Sequence, residues 1–234
     1  MNTNKEKSLL NQKRVHDITP FTTTDYPDHL ASVLWFSGCN MRCVYCYNRD
    51  IVLCPESSLY SYEDIFEFLN RRQGLLDGVV LSGGEALEHN LFELCTIIKS
   101  MGFKIKLDTN GLHTNALKQL ILHDLLDYVA LDFKAPKSKF YNITKNKEYE
   151  RFEESLRFVI GCGIAHEVRT TLHSDLLNVN DINEIINTLV ALGYKNSYFV
   201  QNFLLTPTHL SNIKEPIHPF DTSRLSQDLN IVFR

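Results

Sequence analysis

The 234-residue chain is 44% hydrophobic and 22% charged, an ordinary globular composition with enough apolar residues for one sizeable core. Its formal charge of −4 supplies no broad basic field, which argues against a dedicated nucleic-acid binder. The N-terminal stretch MNTNKEKSLLNQKR has no apolar core of signal-peptide length, and no run approaches the roughly 20 apolar residues of a membrane span, so a cytoplasmic protein without a membrane partner is expected.

Apolar runs of strand length alternate with helix-period segments along the chain. ASVLWFS (31–37) reads as a buried strand. In SYEDIFEFLNRR, Ser61 can cap a helix with Asp64 three residues on, and Ile65, Phe66 and Leu69 make its apolar stripe. GVVLSGGE is a strand and a turn, LFELCTIIKSMG a helix closed by Gly102, KIKLDTNG a strand with a polar end, and ALKQLILHDLL a helix. Then come strand YVALDFKA, helix YERFEESLRFVIGCG, strand HEVRTTLH, helix DINEIINTLVALG and strand YFVQNFLL.

Six strands with five intervening helices imply right-handed parallel crossovers, and thus an α/β fold: an open, partial (β/α)6 barrel or a doubly wound sheet. Residues 1–234 read as a single domain with a core over about 24–205. The last stretch, 206–234, breaks the rhythm and is expected to wrap irregularly over the edge or rim.

Polar groups gather at the C-terminal ends of these strands. Cys39, Cys43 and Cys46 follow the first, Gly83, Gly84 and Glu85 the second, and Asp108, Thr109 and Asn110 close the third. Asp132 and Lys134 close the fourth, Arg169 and Thr171 lie late in the fifth, and Gln201 and Asn202 in the sixth. In parallel α/β architectures that rim is where active sites are built.

The spacing Cys-x3-Cys-x2-Cys puts three thiols in one loop. Three local thiolates on a four-iron cubane leave one iron open to a substrate or cofactor. A zinc ion wants a closed set of four ligands, and Cys54 would complete one. A redox dithiol at Cys43-x-x-Cys46 is a third reading. Cys95 and Cys162 lie in helical patterns and read as small buried hydrophobes. His89, His113, His123, His166 and His173 have no ligand spacing and read as solvated or hydrogen-bonded residues.

CNMRCVYC, with aromatic Tyr45 before its last cysteine, resembles the cluster motif of radical S-adenosylmethionine (radical SAM) enzymes, and LSGGEA resembles their GGE motif. The resemblance implies a partial (β/α)6 barrel of the radical SAM type. It also implies a [4Fe-4S] cluster on Cys39, Cys43 and Cys46, and S-adenosylmethionine (SAM) on the open iron with its amino group held by Gly83, Gly84 and Glu85. LDTNG and LDFKA are similar to motifs of glycyl-radical-enzyme activases. By that likeness Asp108 and Thr109 would bind a monovalent cation beside SAM, and Asp132 and Lys134 would contact SAM. Tyr45, Arg169 and Gln201, all at the same rim, complete the expected cofactor contacts.

Over about residues 24–140 the order of motifs resembles anaerobic ribonucleoside-triphosphate reductase activating proteins. That implies an oxidoreductase which makes a glycyl radical in an anaerobic (class III) ribonucleotide reductase-like partner. Without a second cysteine set, the electron is expected from a ferredoxin or flavodoxin. The chain departs from the pattern at Tyr47, where activases commonly have His, and at Ala86, where many relatives have Pro. The alternatives are a radical SAM enzyme acting directly on a small molecule or peptide, and a structural zinc protein.

Overall fold

The computed structural model describes residue 11 and residues 13–234. The described chain divides into two compact units, each drawn from separate stretches of sequence. Residues up to 39, 50–109 and 115–128 form one, and residues 40–49, 110–114 and 129–234 the other.

The first unit holds β1 (Lys13–Thr22), β2 (Ala31–Phe36), β3 (Tyr60–Ser61), β4 (Gly78–Gly83) and β5 (Lys104–Thr109), ordered β3-β1-β2-β4-β5. It also holds nearly all of α1 (Arg49–Leu53), α2 (Tyr62–Asn70), α3 (Phe92–Ser100) and nearly all of α4 (Thr114–Leu122). β2–β4 and β4–β5 pair in parallel, as the intervening helices require, whereas β1 runs antiparallel to β2 and β3.

α2 forms where its sequence starts it. Ser61 accepts from Asp64 N while the Asp64 carboxylate takes the Ser61 N–H at 2.7 Å, so two otherwise unpaired donors are satisfied reciprocally. α3 ends just before Gly102, whose φ of +92° is the left-handed stop that glycine adopts without strain.

Strand alternation divides the side chains of this unit. Val79, Leu81, Ile105 and Leu107 are buried on one face of β4 and β5. On the opposite face Tyr26, Ala31, Val33 and Val80 make an apolar layer flanked by Trp35 and Tyr128. Along that same face, towards the strand ends, follow Ser82, Lys106 and Asp108.

The second unit holds β6 (Tyr128–Asp132, apart from Tyr128), α5 (Lys137–Thr144), α6 (Tyr149–Gly161), β7 (Ala165–Leu172), α7 (Val179–Ala191), β8 (Tyr198–Asn202) and β9 (Ile231–Phe233). Its strand order is β6-β7-β8-β9, with β7–β8 and β8–β9 parallel. Phe133, Phe140, Tyr149 and Phe152 pack ring against ring, with centroids 4.7 Å apart for Phe133 and Phe152.

The six strands and five helices read from the sequence all form. β1, β3, β9, α1 and α5 are additional. The stretch 206–234 is not wholly irregular, because Ile231–Phe233 pairs with β8 from Tyr198 to Val200. Cys162 corrects another expectation: α6 ends at Gly161, so the thiol falls past the last turn and is exposed, whereas Cys95 is fully buried. Among the described residues no helix is long and apolar enough to cross a membrane.

Candidate functional site

In the first unit the glycine pair serves the backbone. Gly83 has φ +116°, and a Cβ there would lie 2.4 Å from Phe36 N and O. A Cβ on Gly84 would sit 2.0 Å from the Gly38 carbonyl and 3.4 Å from Cys39 Cβ. Gly84 N donates to Phe36 O at 2.8 Å and Glu85 N to Gly38 O at 2.9 Å. The missing side chains therefore let the turn after β4 lie directly against the start of the cysteine loop, bringing Cys39 beside Gly84.

Glu85 is 1% exposed, and its Oε1 accepts from Thr109 Oγ1 at 2.8 Å and Leu87 N at 3.2 Å. Asp108 takes the Lys106 ammonium on Oδ1 at 2.5 Å and the Ser82 hydroxyl on Oδ2 at 3.0 Å. Lys106 and Asp108 are two apart on β5 and so share a face, with side chains 3% and 12% exposed. Asp108 thus has a cationic partner from its own strand. Lys106→Met is expected to cost about 3–5 kcal/mol in urea unfolding, because it removes the ammonium bonded to a largely buried carboxylate. A loss below about 1 kcal/mol would show a solvent-screened pair instead.

In the second unit Cys43 and Cys46 lie in a loop pinned by α5. Arg42 N donates to Thr144 O at 2.8 Å and Val44 N to Ile143 O at 2.9 Å, while Asn146 Nδ2 donates to Asn40 O at 3.1 Å. Asn40 Oδ1 accepts from Asn110 Nδ2 at 2.7 Å. Burial pushes the Cys43 thiol up to about 11, and the nearby Lys134 ammonium pulls the other way. Burial also raises Cys46. Tyr45 is 5% exposed and pushed up by burial, and its hydroxyl is buried with no hydrogen-bond partner.

Lys134, Asp132 and Arg169 form one network beside that loop. Asp132 Oδ1 accepts from Arg169 Nε at 2.5 Å and Oδ2 from Lys134 Nζ at 2.8 Å. β7–β8 register puts Arg169, Thr171, Phe199 and Gln201 on one face, and all four are half-buried. The structure thus brings Cys43, Tyr45, Cys46, Asp132, Lys134 and Arg169 together in the second unit. Cys39, Gly83, Gly84, Glu85, Asp108 and Thr109 gather in the first. Gln201 shares a face with Arg169 on neighbouring strands.

Among the described residues no group of three or more His, Cys, Asp or Glu side chains gathers closely enough around one point for a single metal ion. The histidines behave as expected: His89 bonds to Ser37 O, His113 to Asn40, His123 to Gln119 O, His166 to Ile164 O and His173 to Lys214 O. Sequence reasoning missed α5, and it missed Thr208, His209 and Ser211, which reach the cysteine loop from the C-terminal stretch. Neither carries a motif: α5 holds the loop through its backbone carbonyls, and the C-terminal side chains bond to backbone carbonyls of the loop.

The sequence pattern of the Radical SAM superfamily matches residues 33–197. The chain belongs to that superfamily. A protein of Methanocaldococcus jannaschii provisionally named a glycyl-radical enzyme activating enzyme is 32% identical over 182 residues, 75% of each chain. The pyruvate formate-lyase-activating enzyme of Clostridium pasteurianum is 27% identical over 212 residues, 86% of this chain and 84% of its own. Streptococcus suis SuiB bound to S-adenosylmethionine superposes with a TM-score of 0.66 at 14% identity, over 86% of this chain and 49% of SuiB. QueE from Escherichia coli superposes with a TM-score of 0.54 at 17% identity, over 82% of this chain and 84% of QueE. At such identities these structures speak to fold, and the chain spans about half the length of SuiB. The α/β fold of the partial-barrel radical SAM type is borne out, and the chain is a radical SAM enzyme. The superfamily's cofactors are a [4Fe-4S] cluster and SAM.

Proposed function

We propose that this radical SAM enzyme makes a glycyl radical in a partner protein, and that the partner is an anaerobic ribonucleotide reductase-like enzyme. The observation that carries the reading is the composition of the cysteine loop's surroundings. A buried thiol at Cys43, a half-buried one at Cys46, a buried tyrosine hydroxyl without a protein partner and an ammonium held by Asp132 lie together. Soft sulfur donors suit iron, and an unmet hydroxyl suits a polar ligand at the same place. The M. jannaschii and C. pasteurianum relatives supply the kind of partner.

In this reading Cys39, Cys43 and Cys46 would hold the [4Fe-4S] cluster. A bound, reduced cluster would supply the electron for reductive cleavage of SAM. The chain's own residues bind, orient and shield. Glu85 stays a carboxylate anchored by Thr109 and Leu87, placed to accept from an ammonium. Lys134, aimed by Asp132, presents positive charge to the thiol side of the loop and stabilises thiolates there. Tyr45, Arg169 and Gln201 add hydrogen-bonding groups toward SAM. The outcome would be a glycyl radical in the partner and 5′-deoxyadenosine, which would carry the abstracted hydrogen atom. A ferredoxin or flavodoxin returns the electron.

The test is anaerobic reconstitution with iron and sulfide, then SAM, dithionite and a candidate partner. The partners would be a class III ribonucleotide reductase and, separately, a pyruvate formate-lyase. The expected result is 5′-deoxyadenosine by chromatography together with a glycyl-radical electron paramagnetic resonance (EPR) signal in the reductase alone. A signal only in the lyase overturns the choice of partner. SAM cleavage without a radical in either protein overturns the activase reading and favours a direct substrate.

A further inference from the structure

Successive carbonyls of the cysteine loop are held by one distant segment. Thr208 Oγ1 donates to Tyr47 O at 3.2 Å, His209 Nδ1 to Tyr45 O at 3.1 Å, Leu210 N to Cys46 O at 2.8 Å and Ser211 Oγ to Val44 O at 2.5 Å. Residues 208–211 therefore meet the carbonyls of residues 44–47 one for one. Thr206 N donates to His209 Nε2 at 2.9 Å, which makes Nε2 the acceptor and leaves the ring proton on Nδ1, where it faces Tyr45 O.

The segment is itself fastened down. Phe203 stacks on His209 with centroids 5.2 Å apart, and His173 Nε2 donates to Lys214 O at 2.8 Å. The Asp175 carboxylate accepts from Ile217 N and His218 N. Thr208 and Ser211 are exposed, so their bonds to the loop contribute direction rather than apolar burial.

A trans peptide points its N–H away from its C=O. Carbonyls turned out to the segment therefore turn the following N–H groups towards the other side of the loop. One such group has a partner there. The Asn48 N–H is hydrogen-bonded to the Cys46 sulfur. That N–H belongs to the Tyr47–Asn48 peptide, whose oxygen Thr208 holds. A hydrogen bond on the oxygen polarises the N–H at the far end of the same peptide.

We infer that the 206–211 strap is a positioning device for the cysteine loop, aiming and polarising the Asn48 N–H onto the Cys46 sulfur and so raising the reduction potential of a cluster bound there. The inference rests on the reading of Cys39, Cys43 and Cys46 as cluster ligands. A hydrogen bond to a ligating sulfur stabilises the reduced, more negative cluster over the oxidised one, which is why its loss lowers the potential.

The experiment is an EPR-monitored redox titration of the anaerobically reconstituted full chain. Thr208→Val keeps the shape and loses the donor, and its midpoint is expected to move to a more negative potential. Thr208→Ser keeps the donor and is expected to stay at the wild-type midpoint. As a second readout, Thr208→Val/His209→Ala/Ser211→Ala is expected to surrender iron to a chelator several-fold faster. An unmoved midpoint in Thr208→Val overturns the inference, as does a shift that Thr208→Ser shares. If the triple variant does not fold, the single pair decides by midpoint. A wild-type chain that takes up no cluster overturns the ligand reading beneath it, a different failure from an unmoved midpoint.

Discussion

Cys43→Ala is expected to fold like the parent, hold no cluster after reconstitution and form no 5′-deoxyadenosine, while Cys54→Ala keeps both. Cys43 is 7% exposed, and burial raises its thiol to about 11, so at neutral pH the free side chain is a small protonated hydrophobe. Replacing it by alanine leaves the neighbouring backbone bonds in place: Arg42 and Val44 still donate to α5, and Cys46 N still reaches residue 43 O. The loss should therefore be of chemistry with little loss of fold. Cys54 supplies the contrast because it is held through its backbone: its N–H donates to Asp50 O, and its carbonyl accepts from Ser57 N and Ser57 Oγ. A three-thiolate cluster is indifferent to Cys54, whereas a closed tetrahedral zinc site that used it would lose its ion. The measurement is iron and zinc content with the visible spectrum of each variant, beside far-ultraviolet circular dichroism. Equal metal loss in Cys54→Ala would remove the cluster reading and return zinc.

The parts of this molecule that were legible in its sequence are those whose determinants are local. The Ser61–Asp64 box needs only a three-residue offset, and the buried parallel strands announce themselves as apolar runs such as VVL in β4 and VAL in β6. β1 escaped because Asp17 and Pro20 interrupt its alternation and its pairing with β2 shifts register between Val15 and Asp17 and again after Thr19. In α5 only Phe140 and Ile143 are buried hydrophobics within eight residues, too few to mark a helical face. β9 has three residues, too short for any period to show.

The candidate site divides in the same way. Thiols at fixed spacing and a Gly-Gly-Glu turn are chemistry written in side-chain types, and they can be read one residue at a time. What the glycines accommodate could not be read so. The sequence suggests a ligand approaching the turn, but the neighbour at 2.0 Å from a Gly84 Cβ is the chain's own Gly38 carbonyl. The Lys106–Asp108 pair was within reach of strand alternation alone, since residues two apart share a face. A lysine inside a strand, however, reads by default as a solvent-facing residue, and this one is 2% exposed. The strap is the least legible part. Its bonds run between backbone and side-chain groups more than 160 positions apart, and they leave no local pattern.

Asp132→Asn is expected to cost about 3–5 kcal/mol in urea unfolding of iron-free protein near neutral pH, because it leaves the Lys134 ammonium buried without its counter-charge. The three side chains are 14–19% exposed, so solvent screens them little. Burial alone would raise the Asp132 carboxyl, but Arg169 first and Lys134 next outweigh it and hold it well below the usual carboxylate range. Burial would likewise lower Lys134, and the Asp132 charge reverses this and holds it well above the ordinary lysine value.

The signs fix the pH window. A depressed carboxyl stabilises the fold above its unfolded pKa of about 3.9, and that stabilisation drains away as pH falls towards the folded value. A raised ammonium stabilises below its unfolded pKa of about 10.4, and that stabilisation is lost only in stronger base. The network therefore contributes fully between about pH 4 and pH 10, and wild-type stability should fall steeply below about pH 4. Asp132→Asn should start lower and lose less over that acid range, so the two curves converge. Arg169 keeps Glu167, 3.8 Å away, as a second acidic neighbour, which concentrates the penalty on Lys134. Adding Lys134→Met to Asp132→Asn should consequently recover part of the lost stability instead of deepening it. Parallel curves for wild type and Asp132→Asn down to pH 3 would mean that the carboxylate is not held by its partners. The aim of Lys134 at the cysteine loop would then need a different cause.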